Sequence, residues 1–174
     1  LRLRVALVAL ILAMPGAAVA QRDPVALLDS VASSIAGRPV VVVCLDEGDA
    51  GYPGDYGAWG YVYLWGDNEF MSQEVCDGLL ALTGGPPAAL WKQALGVLVL
   101  THESFHLNQH VKQPENEART ECRAIKNFTR TAGMLGASNE DAERLLPFAL
   151  AIHWRVAAKA REYFYEPCKV PNWW

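Results

Sequence analysis

The chain has 174 residues, 52% hydrophobic and 20% charged, with a formal net charge of −4 at pH 7. That length and apolar content suit one folded domain with a single core. A mildly acidic balance excludes the basic surface that nucleic-acid binding demands, so no nucleic-acid partner is expected.

At the start of the chain, Arg2 and Arg4 precede an apolar run from Val5 to Met14. Pro15 and Gly16 break the run, and Ala18-Val19-Ala20 places small residues before Gln21. Residues 1–20 therefore read as a secretory signal peptide, with an apolar stretch too short to span a bilayer. Residues 21–174 are expected to form one secreted, monomeric domain with no stable membrane span. The four cysteines, Cys44, Cys76, Cys122 and Cys168, are an even number in an exported chain and predict two disulfides. Of the three connectivities, Cys44–Cys76 with Cys122–Cys168 is favoured, because each pair joins neighbouring parts of the predicted order. No CxxC spacing is present, which argues against a four-thiolate zinc site.

Asp23–Ile35 opens with an acidic cap and Pro24, spaces its apolar residues three and four apart, and predicts a helix ending at Gly37. Pro39–Leu45 is a valine run that reads as a buried strand. Asp46–Gly57, rich in glycine and acids, lacks the spacing of a calcium-binding EF-hand loop and reads as a solvated loop. Trp59–Trp65 alternates, with Trp59, Tyr61, Tyr63 and Trp65 on one face and Gly60, Val62 and Leu64 on the other. Core packing is the commoner use of such an aromatic stripe; a platform for sugar or peptide is the other. After a turn at Gly66-Asp67-Asn68, Glu69–Val75 either pairs back or begins a helix toward Leu82.

Thr83–Pro87 is a linker of helix breakers, followed by a long helix from about Ala88 to Asn108 or His110. A second runs from Asn116-Glu117 to about Leu135. A third is capped by Ser138-Asn139-Glu140-Asp141 and is expected to continue to Glu166 with a kink at Pro147. The first of these three carries HESFH, residues 102–106. Four-residue spacing puts His102 and His106 on one helical face, where both can reach one ion, and leaves Glu103 beside it to hold a water. The flanking residues are almost all apolar, so this helix should cross the interior, where such polar groups are costly unless satisfied.

A catalytic zinc site wants a third protein ligand. His110 lies eight residues from His102, roughly 12 Å along a helix axis, too far to share an ion. The better candidates are Glu117 and Glu121, on a second helix antiparallel to the first, with Glu117 near His106 and Glu121 near His102.

HESFH followed by NEARTE (residues 116–121) resembles the gluzincin metallopeptidases, whose thermolysin-type members carry HExxH and then NExxSD on a second helix. The resemblance implies a minimal single-domain α+β zincin-like fold: a small sheet, an N-terminal helix, a buried active-site helix and two further long helices. It implies Zn²⁺ held by His102, His106 and Glu117, with Glu103 as general base and Glu121 orienting His102. A second alignment, to gluzincins with ExxA, makes Glu121 the ligand instead. The chain is also similar, over about Leu98–Ala124, to small secreted bacterial proteins of unassigned function that carry HESxH and then EAxTEC. The gap between HExxH and the glutamate is shorter here than in the large gluzincins, and no large second lobe is expected to form a deep cleft.

The activity so implied is hydrolysis of a peptide or protein substrate, with Glu103 taking a proton from water and passing it to the leaving amine. His153, Tyr163 and Tyr165 have the right chemistry to stabilise the oxyanion, and the strand at Gly60–Trp65 could align an extended peptide. The alternative is a catalytically silent secreted zinc-binding domain that contacts a cell-wall or protein partner through its aromatic stripe and terminal tryptophans.

Overall fold

The structure, a computed structural model, describes residues 23–108 and 117–160. The expected signal peptide, His110, Tyr163, Tyr165, Cys168 and the terminal tryptophans lie outside the described residues. What is described is a small α+β domain: five helices and one three-stranded sheet.

Helix α1 (Pro24–Ala36) starts where the sequence places it. Asp23 Oδ1 accepts from the Val25 N–H at 3.0 Å, and Gly37 ends the helix in the left-handed conformation at φ 70°. Strand β1 (Val41–Leu45) follows, then a loop with one 3-10 turn at Pro53–Tyr56, strand β2 (Gly60–Val62) and strand β3 (Asn68–Ser72). The order across the sheet is β1-β3-β2, with β1 parallel and β2 antiparallel to β3. The segment after the Gly66 turn both pairs back, as β3, and begins a helix, as α2 (Gln73–Leu82).

The aromatic stripe does not face the core. A Cβ built on Gly60 would lie 2.8 Å from Val99 Cγ1 and 3.4 Å from Glu103 Cγ, so the glycine face of β2 is the one that rests on the central helix. Tyr61 and Tyr63 point the other way, Tyr61 stacking on Phe70 at a centroid distance of 5.0 Å and Tyr63 meeting it edge-on at 5.9 Å, and Tyr63 is 58% exposed. The expected strand is also shorter, because Tyr63–Gly66 forms a turn closed by Gly66 N–H to Tyr63 O, which leaves Trp65 92% exposed. Large rings would hold β2 away from the central helix; glycine lets the backbones close.

That central helix is α3 (Leu90–His106). Every residue from Ala94 to Ser104 is buried. It packs against α1, α2, β2 and β3, and against the two helices that complete the fold, α4 (Glu117–Met134) and α5 (Asn139–Lys159). Its contact with α2 is close: a side chain on Gly96 would meet the Val75 carbonyl at 2.9 Å, and one on Gly78 would meet the Lys92 carbonyl. α5 is capped as expected, with Ser138 Oγ accepting from the Asp141 N–H at 3.1 Å. It stops at Lys159, short of the expected Glu166, because Ala160 turns extended.

A disulfide joins Cys44 at the sheet to Cys76 in α2, with a Cα–Cα distance of 6.0 Å. Closing a loop of that length stabilises the fold by about 3–4 kcal/mol on the chain-entropy account. Cys122 is disulfide-bonded as well. Among the described residues, no helix is long and apolar enough to cross a membrane.

Candidate metal centre

The last turn of α3 and the first of α4 bring three donor atoms together. His102 and His106, one helical turn apart, place their Nε2 atoms 3.0 Å from each other. Glu117, the first residue of α4, puts Oε2 at 3.0 Å from His102 Nε2 and 3.4 Å from His106 Nε2. Bonds of ~2.0–2.1 Å to one tetrahedral ion would separate their ligand atoms by about 3.3 Å, so the triangle has the right size to hold a metal. The donors also fit chemically: two imidazoles and a carboxylate form a group that could bind one ion. Glu117, expected near His106, reaches both histidines and lies closer to His102 Nε2 than to His106 Nε2.

The other face of His102 is fixed from α4 as well. Its Nδ1 lies 2.9 Å from Glu121 Oε2, and Glu121, 5% exposed, turns Oε1 to Nδ1 of His153 on α5 at 3.2 Å. With Nδ1 carrying the proton, His102 keeps the Nε2 lone pair for a metal. His153 is buried behind Glu121 and is not among the residues lining the adjoining cavity. Glu117 and Glu121, one turn apart on α4, thus address opposite nitrogens of one ring.

Charges at the site are set by these contacts. Burial opposes protonation of His102, but hydrogen bonds to Glu117 and Glu121 carry its pKa up to about 10. Hydrogen bonds from His102 and His106 hold Glu117 well below the usual carboxylate range. Burial works against ionisation of Glu121, and the bonds from His102 and His153 nevertheless bring it down to about 2. A strongly anionic pair faces three imidazoles, those of His102, His106 and His153, an arrangement that recruits either a proton or a cation. Glu103 moves the other way: burial lifts it above its ordinary 4.5, with His102 and His106 partly offsetting the rise.

Glu103 and His102 open onto a cavity of about 500 Å³. Leu98 and Val99 of α3 and Ile152 and Val156 of α5 give it apolar walls; the 57–60 segment closes one side, and Trp59 and Lys159 also line it. A buried, proton-accepting carboxylate beside the donor triangle and facing a pocket can act on a bound molecule.

Sequence reasoning passed over two features here. Gly60 lets β2 lie against Glu103, and its signal was present: a lone glycine opposite an aromatic stripe. Glu69 on β3 is fully buried, with neither carboxylate oxygen in a well-formed hydrogen bond. Burial raises its pKa well above 4.5; the neighbouring Ser104 hydroxyl offsets this in part, and Glu103 and Asp29 add to it. An acid directly before the apolar pair Phe70-Met71 was its sequence trace.

Compared with protein-family models, curated proteins and solved structures, the chain matches none.

Proposed function

We propose that the chain is a secreted zinc-dependent peptidase of minimal size, related in plan to the gluzincins. The observation that carries this reading is the convergence of His102 Nε2, His106 Nε2 and Glu117 Oε2 at 3.0–3.4 Å, with buried Glu103 beside them facing a cavity. Imidazole and carboxylate donors at tetrahedral spacing suit zinc, whereas calcium and magnesium favour all-oxygen shells. Held there, zinc would supply a Lewis acid that lowers the pKa of a water and polarises a peptide carbonyl.

The remaining work falls to the chain's own groups. Glu121 holds the Nδ1–H of His102 and so fixes which nitrogen is offered to the ion. Glu103 accepts the proton of the attacking water on its carboxylate and returns it to the departing amine nitrogen. The apolar walls from α3 and α5 exclude bulk water from one side of the bound peptide.

The second reading, a silent zinc-binding domain that contacts a cell-wall or protein partner, draws on the outward aromatic face, where Trp65 is 92% and Tyr63 58% exposed. Turnover separates the two. A broad peptide library at neutral pH, with a chelator control, should show metal-dependent cleavage by wild type and strongly reduced cleavage by Glu103→Gln. Zinc binding by both proteins with cleavage by neither would favour the silent domain.

A further inference from the structure

Resting on the metal-site reading above, we infer that His153 is a positioning residue that tunes metal affinity from α5 by fixing the Glu121 carboxylate against His102. The two oxygens of Glu121 are used separately: Oε2 takes Nδ1–H of His102 at 2.9 Å, and Oε1 faces Nδ1 of His153 at 3.2 Å. All three side chains are buried, at 6%, 5% and 4% exposure, so water does not substitute freely for either contact. A carboxylate held at one oxygen can still swing about its last carbon–carbon bond. Held at both, by rings from two different helices, it presents a fixed acceptor to His102 and so fixes the direction of the Nε2 lone pair. His153 is itself steadied by an edge contact with Trp154, at a centroid distance of 5.1 Å.

The chemistry constrains what can replace it. Both oxygens of an ionised Glu121 accept, so Nδ1 of His153 must donate. In asparagine the amide nitrogen is bonded to Cγ, as Nδ1 is in histidine, so His153→Asn keeps a donor at that point while losing the rest of the ring. His153→Leu keeps much of the bulk and has no donor. A packing role and a positioning role therefore rank the two variants oppositely.

Zinc affinity of the full chain, measured by competition with a chromophoric chelator, tests this. Loss of a ligand's own hydrogen-bond partner, here Glu121, typically costs about 10–100-fold in metal affinity; His153 is one contact further out, so His153→Leu should fall at the low end of that range, about 10-fold. His153→Asn should stay within a few-fold of wild type. In a Glu121→Gln background, adding His153→Leu should cost little more, because the path through the carboxylate is already broken. Wild-type affinity in His153→Leu, or Asn ranking below Leu, would overturn the inference and leave the metal site standing. So would a full additional loss in the Glu121→Gln background. If His153→Leu does not fold, a large loss of affinity in His153→Asn overturns the positioning role by itself. Failure of wild type to bind zinc at all would instead remove the metal-site reading, and the role of His153 with it.

Discussion

Two buried glutamates show how differently this protein treats one side chain. Glu121 on α4 and Glu69 on β3 are 5% and 0% exposed. Glu121 has an imidazole at each oxygen, and its pKa falls to about 2. Glu69 has no well-formed hydrogen bond at either oxygen, and burial drives its pKa well above 4.5. Depth is shared; partners are not. Near-complete burial thus leaves a carboxylate charged where histidines surround it and favours the neutral acid where acids and apolar groups do. The charged pole of the interior lies at the ends of α3 and α4, and that is where a cation would be drawn.

The largest break in the comparison comes from deleting the histidines. His102→Ala or His106→Ala should each abolish zinc binding, since two remaining donors hold zinc poorly. Metal analysis after dialysis decides this, and full zinc content in either variant would rule the site out.

Next in size is Glu103→Gln, a nearly isosteric change beside the ligand set. Zinc content should be unchanged while peptide hydrolysis falls by roughly 10²–10⁴, the usual worth of general-base assistance. Equal cleavage by both proteins would contradict the mechanism.

A finer cut separates the two acids of α4. Glu117→Gln should weaken zinc more than Glu121→Gln, because Glu117 faces the Nε2 atoms and Glu121 only the far side of His102. The loss expected for Glu121→Gln is about 10–100-fold. The reverse order in zinc titrations would make Glu121 the ligand.

The smallest effect sharpens the Glu69 side of the contrast. Below its ordinary pKa of 4.5, native and unfolded chains both hold the Glu69 proton, and its contribution to stability is fully present. As pH rises past that value the unfolded chain releases a proton that the native chain keeps. Wild type should then lose stability relative to Glu69→Gln by up to about 1.4 kcal/mol per pH unit, until the native carboxyl itself ionises. Denaturant melts of both proteins at pH 5 and pH 7 measure the difference, and a gap that does not grow with pH would show that Glu69 is already charged.

What the sequence determined by itself was local. A cap reaches two or three residues, as at Asp23 and Ser138, and the HESFH spacing puts two imidazoles on one helical face whatever surrounds them. The apolar run was enough to place α3 in the interior, and the periodicity of successive segments gave one helix, a few strands and then long helices. The Cys44–Cys76 bridge followed from the order of elements. Tertiary structure decided the rest. Alternation in Trp59–Trp65 divides a strand into two faces without saying which looks inward, and the close approach of β2 to Glu103 chose the glycine face. Glu121 meets His102 across 19 residues and His153 across 32. Such contacts depend on how α3, α4 and α5 pack together, and no periodicity within one helix encodes them. The same holds for the two buried glutamates: sequence supplies the carboxyl, but only its neighbours in space set its charge.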